Sequence, residues 1–202
     1  MSQSGKKVLD RNNIFGGGGR LIYADALTAK PTALADILNP TSGVLASGWN
    51  DIGATDGGIN LTRGFDKEEW EVDQVLGAID EFITKWNMTL ETNLAEASLG
   101  NLELAWEASE PVLDTGEYTQ GIGDPDTVTE RMIALIVDKR EVAGVGYIRA
   151  YVFWIAKLDG ADSEHSFVKG EKTLIPLTFS LLADSSEVGE SRFGIVLDQE
   201  VA

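Results

Sequence analysis

Alternation dominates the middle of the chain. Over residues 80–92, Phe82, Thr84, Trp86, Met88 and Leu90 fall on one face of an extended strand, and Ile83, Lys85, Asn87, Thr89 and Glu91 fall on the other. Ile83 apart, this is the pattern of a sheet with one buried and one wet face. A slip of one residue would bury Lys85 and Glu91, so the register is strongly specified. Upstream, Ile59, Leu61, Arg63 and Phe65 alternate with Asn60, Thr62 and Gly64. Residues 65–73 continue the alternation around Trp70 and Val72, with Asp66, Glu68, Glu69, Glu71 and Asp73 set against Lys67.

Further strands are predicted over residues 20–25, 128–138, 145–157, 173–183 and 192–197. The segment 145–157 is apolar on both faces apart from Arg149, which makes it a central strand or one covered by a partner. Pro176 has no N–H to donate, so it belongs at an edge or a bulge. A helix is predicted over 93–108. Asn93 serves as N-cap with Glu96 three residues on, Leu94, Ser98, Leu102, Ala105 and Trp106 recur at helical spacing, and Pro111 lies beyond the end. Gly100 inside it costs about 1 kcal/mol relative to Ala. Residues 114–126, with three glycines and Pro125, read as a turn-rich loop.

Two segments lack periodicity. Residues 26–49 exceed the ~12–15 residues usual for a structureless loop, so they hold a short helix near 32–38, a functional extension, or both. Residues 1–19 end in four glycines and read as a flexible arm, able to order against a neighbouring copy. The remainder, 20–202, is one domain. The expected fold is mainly β: two packed antiparallel sheets, a sandwich or distorted barrel, with one flanking α-helix, a long loop and a terminal arm.

Composition narrows the chemistry. With 16 Lys and Arg against 33 Asp and Glu, the net charge is −17, which argues against gripping nucleic-acid phosphates or an anionic membrane. The hydrophobic fraction of 43% is too high for a disordered acidic tail. Apolar runs reach six residues, at 132–137 and 151–156, where a membrane helix needs about 20. The start carries no apolar stretch behind its lysines, so no secretory signal is expected. Without cysteine, disulfides, thiolate nucleophiles and Cys-ligated metals are excluded, and His165 is the single histidine. The glycine run at 16–19 lacks the Lys-Ser/Thr of a phosphate loop, and Gly144 and Gly146 lead into a strand instead of a helix. Residues 159–170 fail as a calcium loop, with Ala161 at the third ligand position and Gly170 at the twelfth. The acids of 66–73 could supply a carboxylate pair, but among 33 acids adjacency carries little weight. No catalytic residue, cofactor or metal is expected.

The order of motifs carries a resemblance. Gly48-Trp-Asn-Asp-Ile-Gly-Ala-Thr-Asp-Gly-Gly58 is followed by alternating strands through Trp70-Glu-Val-Asp-Gln74. Then come the alternating segment 80–92 and Asn93-Leu-Ala-Glu-Ala-Ser-Leu-Gly-Asn-Leu-Glu-Leu-Ala-Trp106. Over residues 20–108 this resembles the major tail protein, or tail tube protein, of long-tailed bacteriophages. The resemblance implies hexameric rings stacked into a hollow tube, with the inner sheets forming a barrel around the lumen and with loops and arms joining the rings. It also implies DNA in transit without specific binding, contacts with tape measure, tail terminator and tail-tip proteins, and location in the virion tail after assembly in host cytoplasm.

The physical reading runs parallel. Ring closure removes aggregating sheet edges, and an acidic wall repels phosphate so that DNA slides. Loop 26–49 and the glycine arm are then inter-ring contacts. Lys85, Asn87, Thr89 and Glu91 are candidates for the lumen or a ring neighbour, and the acids Asp66, Glu69, Glu71 and Asp73 are further candidates. Two alternatives are a tube subunit of a prophage-derived particle or gene transfer agent, and a monomeric β-sandwich module that binds a carbohydrate or host receptor.

Overall fold

The computed structural model describes residues 15–26, 28–71, 78–123, 126–139, 146–160, 167–170 and 172–199. The strands are β1 (Phe15–Asp25), β2 (Trp49–Asp51), β3 (Thr55–Glu71), β4 (Ala78–Leu94), β5 (Val112–Asp114), β6 (Glu117–Thr119), β7 (Arg131–Lys139), β8 (Ile148–Leu158), β9 (Ile175–Leu182) and β10 (Gly194–Asp198). One α-helix among the described residues, α1 (Leu99–Trp106), lies between β4 and β5. An eight-stranded antiparallel sheet runs in the order β2-β1-β7-β8-β9-β4-β3, with β10 added on β8, and β5 and β6 form a separate hairpin. The expected mainly β sandwich is therefore what the chain adopts.

β8 is where the sheet divides. Its first half, from Arg149 to Phe153, pairs with β10, while Ile155 to Leu158 pair with β9. β9 leaves β8 to run beside β4, so β4 and β9 can fold over β1, β7 and β8. Between these halves lies a core of Leu21, Ile133, Leu135 and Phe153 against Leu90, Leu94, Ile175, Leu177 and Phe179, with Leu104 and Ala105 of α1. At Gly19 a Cβ would lie 2.7 Å from the Leu135 side chain and 3.2 Å from that of Ile59, which is on β3. The first and last long strands of the sheet thus approach each other where glycine leaves room. β1 begins at Phe15, so it takes in the glycine run that the sequence places in the arm.

A second core covers the opposite face of the same strands. Ile22, Met132, Ala134, Ile136, Val152 and Trp154 pack against Ile37, Leu38 and Trp49 of the long loop. This explains why residues 145–157 are apolar on both faces: β8 lies between two cores. The loop includes the short helix expected near 32–38, a single 3-10 turn at Leu34–Asp36. Asp36 accepts from the Thr32 and Ala33 backbone N–H groups, and these bonds hold its carboxyl below the usual range. The Trp49 indole donates to the Asp36 carbonyl. Lys30 reaches across to Asp184 and Glu187, at 2.6 Å from each, with its ammonium 5.3 Å from the Trp154 ring.

The helix is shorter than its periodicity suggests. Asn93 is not its N-cap; Asn93 and Leu94 belong to β4, where Asn93 pairs with Asp56 and Pro176 and Leu94 is fully buried. Sheet pairing and burial outweigh the local capping signal. The N-cap is Ser98, whose hydroxyl accepts from the Asn101 N–H, and Gly100 falls in the first turn. The helix ends at Glu107, in left-handed conformation with φ 50°. Its carboxylate lies 2.5 Å from Arg131, both side chains being 8% exposed, and accepts from the Thr129 hydroxyl. Pro176 occupies the stretch of β9 that runs beside β4 before pairing with β8 begins at Phe179, locally an edge position.

Candidate assembly surfaces

The hairpin of β3 and β4 outruns its sheet. Each strand is 17 residues long, but β9 pairs with β4 only between Thr89 and Leu94. From residue 88 outward to 78, β4 has β3 alone beside it among the described strands, and β3 is the last strand of the sheet. The outer part is a two-stranded ribbon with both edges open.

Its faces depart from simple alternation. On the inner face Leu61 and Leu90 pair and enter the core, and Arg63, Met88, Phe65 and Trp86 continue along that face. Asp66 pairs with Lys85, and the next residue, Lys67, pairs with Ile83. Thr84 is thus an extra residue, a bulge, and beyond it the faces of β4 exchange. Phe82 therefore does not share the Trp86 face, and Ile83 does not share the Lys85 face, as unbroken alternation predicts. The ring contacts agree. Phe65 and Trp86 lie 5.1 Å apart on the inner face, with Arg63 4.4 Å from the Trp86 ring; Trp70 and Phe82 lie 5.5 Å apart on the outer face. A second irregularity at Ile79 follows near the tip.

The expectation of one buried and one wet face holds only at the base of the ribbon. Leu90 is fully buried, whereas Trp86 is 38% exposed, Phe82 40%, Phe65 51% and Trp70 59%. Both faces present large aromatic rings to the surroundings.

The candidate residues divide between these faces. Lys85, Asn87, Thr89 and Glu91 do share the outer face, and Asp66 joins them, accepting from the Asn87 amide at 3.0 Å. Lys85 and Glu91 are exposed; Asn87 and Thr89 are half-buried. Glu69 falls on the inner face, where Lys67 lies 3.4 Å from it and is also paired with Glu81. The Glu81 carboxylate, hydrogen-bonded to Lys67, raises the lysine's pKa, with Glu69 adding to the effect. Glu71 is the last residue of β3, and Asp73 and His165 lie outside the described residues.

A second surface was not legible in the sequence. Within the stretch read as a loop, β5 and β6 pair across a two-residue turn, Thr115-Gly116, both with positive φ. The turn geometry suits a tight hairpin. Leu113 faces Tyr118 on one side and Val112 lies on the other, each about 60% exposed. The Asp-Thr-Gly-Glu segment between short apolar runs is the signal that could have found it. Among the described residues no three carboxylates or imidazoles are grouped to hold a metal ion, and no helix is long and apolar enough to cross a membrane.

No curated protein matches the chain. A family model, phage tail tube protein, matches residues 9–188 and so takes in the ribbon, α1, the small hairpin and the sheet through β9. On that match the chain belongs to the phage tail tube proteins, structural components that self-assemble into the tube of a virion tail.

Proposed function

We propose that the chain forms hexameric rings that stack into a hollow tube with an acidic lumen, through which DNA passes into the host. The observation that carries this reading is the β3–β4 ribbon, with open edges and aromatic rings exposed on both faces. An isolated two-stranded ribbon of this kind is marginal in water, and long open edges invite pairing with another chain. Head-to-tail contacts between identical copies satisfy both needs and close a ring.

The outer face of the ribbon is assigned to the lumen: Asp66, Lys85, Asn87, Thr89 and Glu91, with Glu68 on the same side. Toward the base of the ribbon this face is polar and carries more acid than base, which offers phosphate little to hold, while the Trp70–Phe82 pair lies farther out toward the tip. The inner face, with Arg63, Phe65, Trp86 and Glu69, is assigned to the neighbouring subunit, and Glu71 and Asp73 are proposed as lumen or ring-interface residues. Loop 26–49 contributes inter-ring contacts through its exposed segment around Val44, while its apolar residues stay on their own sheet. The part of the arm ahead of β1 is assigned to the same contacts. Tape measure, terminator and tail-tip proteins are the expected partners during assembly in the host cytoplasm.

Negative-stain electron microscopy of the purified protein over a range of protein and salt concentrations tests the reading. Hollow rings or tubes, favoured by salt because 33 acids per copy repel one another, are expected. Solid filaments, or monomers under every condition, would overturn it. A reconstruction with Lys85 and Glu91 on the outer wall would overturn the lumen assignment alone.

A further inference from the structure

A groove of about 800 Å³ lies between the base of the ribbon and the segment before β10, lined by Arg63, Trp86, Gly189, Glu190, Arg192 and Phe193. In so acidic a chain its character is unusual. It brings together two arginines and two aromatic rings with one carboxylate. Neither arginine belongs to an ion pair among the described residues, although Arg63 does rest on Trp86. Arginine and tryptophan in a concave site are the residues that most often anchor protein interfaces.

The β5–β6 hairpin has the opposite character. Residues 107–130 include seven acids and no Lys or Arg. Asp114 and Glu117 pair across the end of the hairpin; Val112 is exposed on their face, and Leu113 and Tyr118 are exposed on the other. The hairpin is tied to its own subunit at its base, where the Ser109 N–H donates to the Gly121 carbonyl and the Gln120 amide to the Leu99 carbonyl. Three residues per strand are too few to hold a free ribbon, so a surface that covers the hairpin is required. No residue of the hairpin lines the groove of its own chain.

We infer that the β5–β6 hairpin of one copy seats in the Arg63–Arg192 groove of the next. Asp114 and Glu117 meet the two guanidinium groups, and Val112, on the same face of the hairpin, meets Trp86 and Phe193. The contact joins two different patches of the same chain, so it is heterologous and propagates around a ring or along a stack. This inference rests on the tube reading and names a specific contact within it.

The absence of native cysteine makes cross-linking a clean test. A Thr119→Cys and Glu190→Cys double variant leaves the two arginines and the hairpin acids intact. Assembled and treated with a short bis-maleimide, it should give a ladder of covalent multimers that neither single variant gives. Arg63→Glu with Arg192→Glu should abolish sedimentable polymer, as should Asp114→Lys with Glu117→Lys, and combining all four should restore it. Tubes that form normally without a ladder, and that tolerate the charge reversals, would overturn the contact and leave the groove to another tail protein, with the tube reading intact. A wild-type chain that never forms rings or tubes would overturn both.

Discussion

The body of the sheet and the β3–β4 ribbon both carry large apolar side chains on two faces, but in opposite surroundings. In β1, β7 and β8 both faces are apolar and both are covered, one by β4, β9 and α1, the other by the long loop. In the ribbon both faces again carry large apolar rings, but among the described residues these are left 38–59% exposed. Apolar content on two faces therefore specifies two contacts without specifying whether the chain itself provides them. Where it does, the residues set stability. Where it does not, they set assembly, and substitutions should separate the two effects.

The largest effects on folding belong in the body. Phe179 is fully buried in the first core, and Phe179→Ala should cost about 3–5 kcal/mol. Glu107→Ala leaves Arg131 buried without its carboxylate and should cost about 3–5 kcal/mol as well. Chemical denaturation of the monomer measures both. A loss under about 1 kcal/mol in either would mean that the body relaxes freely, which a close-packed core does not permit.

The ribbon should behave in the reverse way. Trp86→Ala removes an aromatic pair worth about 0.5–1.5 kcal/mol beyond the area its ring buries, together with the Arg63 contact, so the monomer should lose less than it does with Phe179→Ala. Tube formation, followed by sedimentation, should be lost. A Trp86→Ala chain that unfolds as a monomer, or that assembles normally, would break the comparison.

How much of this was legible follows from range. The long strands were readable because alternation is local, and the double-sided apolarity of 145–157 pointed to cover on both faces. Asn93 misled because its capping signal is local, while its pairing with Asp56 and Pro176 is not. β2, three residues long, depends on its distant partner β1 for its definition. The exchange of faces at Thr84 left one mark in the sequence, the apolar Ile83 on an otherwise wet face, but a bulge follows from how two strands pair and not from either strand alone. Thus Lys85, Asn87, Thr89 and Glu91 share the face that alternation assigns them, Asp66 joins them only through strand pairing, and Phe82 and Ile83 are transposed.

That transposition supplies a smaller test. Inserting one residue between Asp66 and Lys67, opposite Thr84, would restore unbroken alternation, moving Phe82 to the Trp86 face and Ile83 to the Lys85 face at the tip. The body is untouched, so the melting temperature of the monomer should change little. Tubes should fail to form, or form with altered diameter, because the aromatic rings that meet a neighbour are redistributed. Tubes of unchanged diameter would mean that the tip makes no subunit contact.

The smallest effect concerns the long loop, whose attachment to the body is partly ionic. The hydrogen bond from Lys30, with Ser186 adding to it, holds the Asp184 carboxyl down to about 2. An unfolded aspartate titrates near ~3.9, so the stabilisation is complete above that pH and fades as pH falls toward about 2. Lys30 is shifted upward by the same partners, so its share persists below its unfolded value near ~10.4 and is lost only as pH rises beyond it. Across the neutral range the tie should therefore not vary with pH. The melting temperature of the wild type should exceed that of Asp184→Asn by a small, constant margin from about pH 5 to 9, and the margin should close toward pH 2. A margin that instead closed between pH 6 and 8 would show that some other group holds the loop, and that its cover over Trp154 does not depend on Lys30.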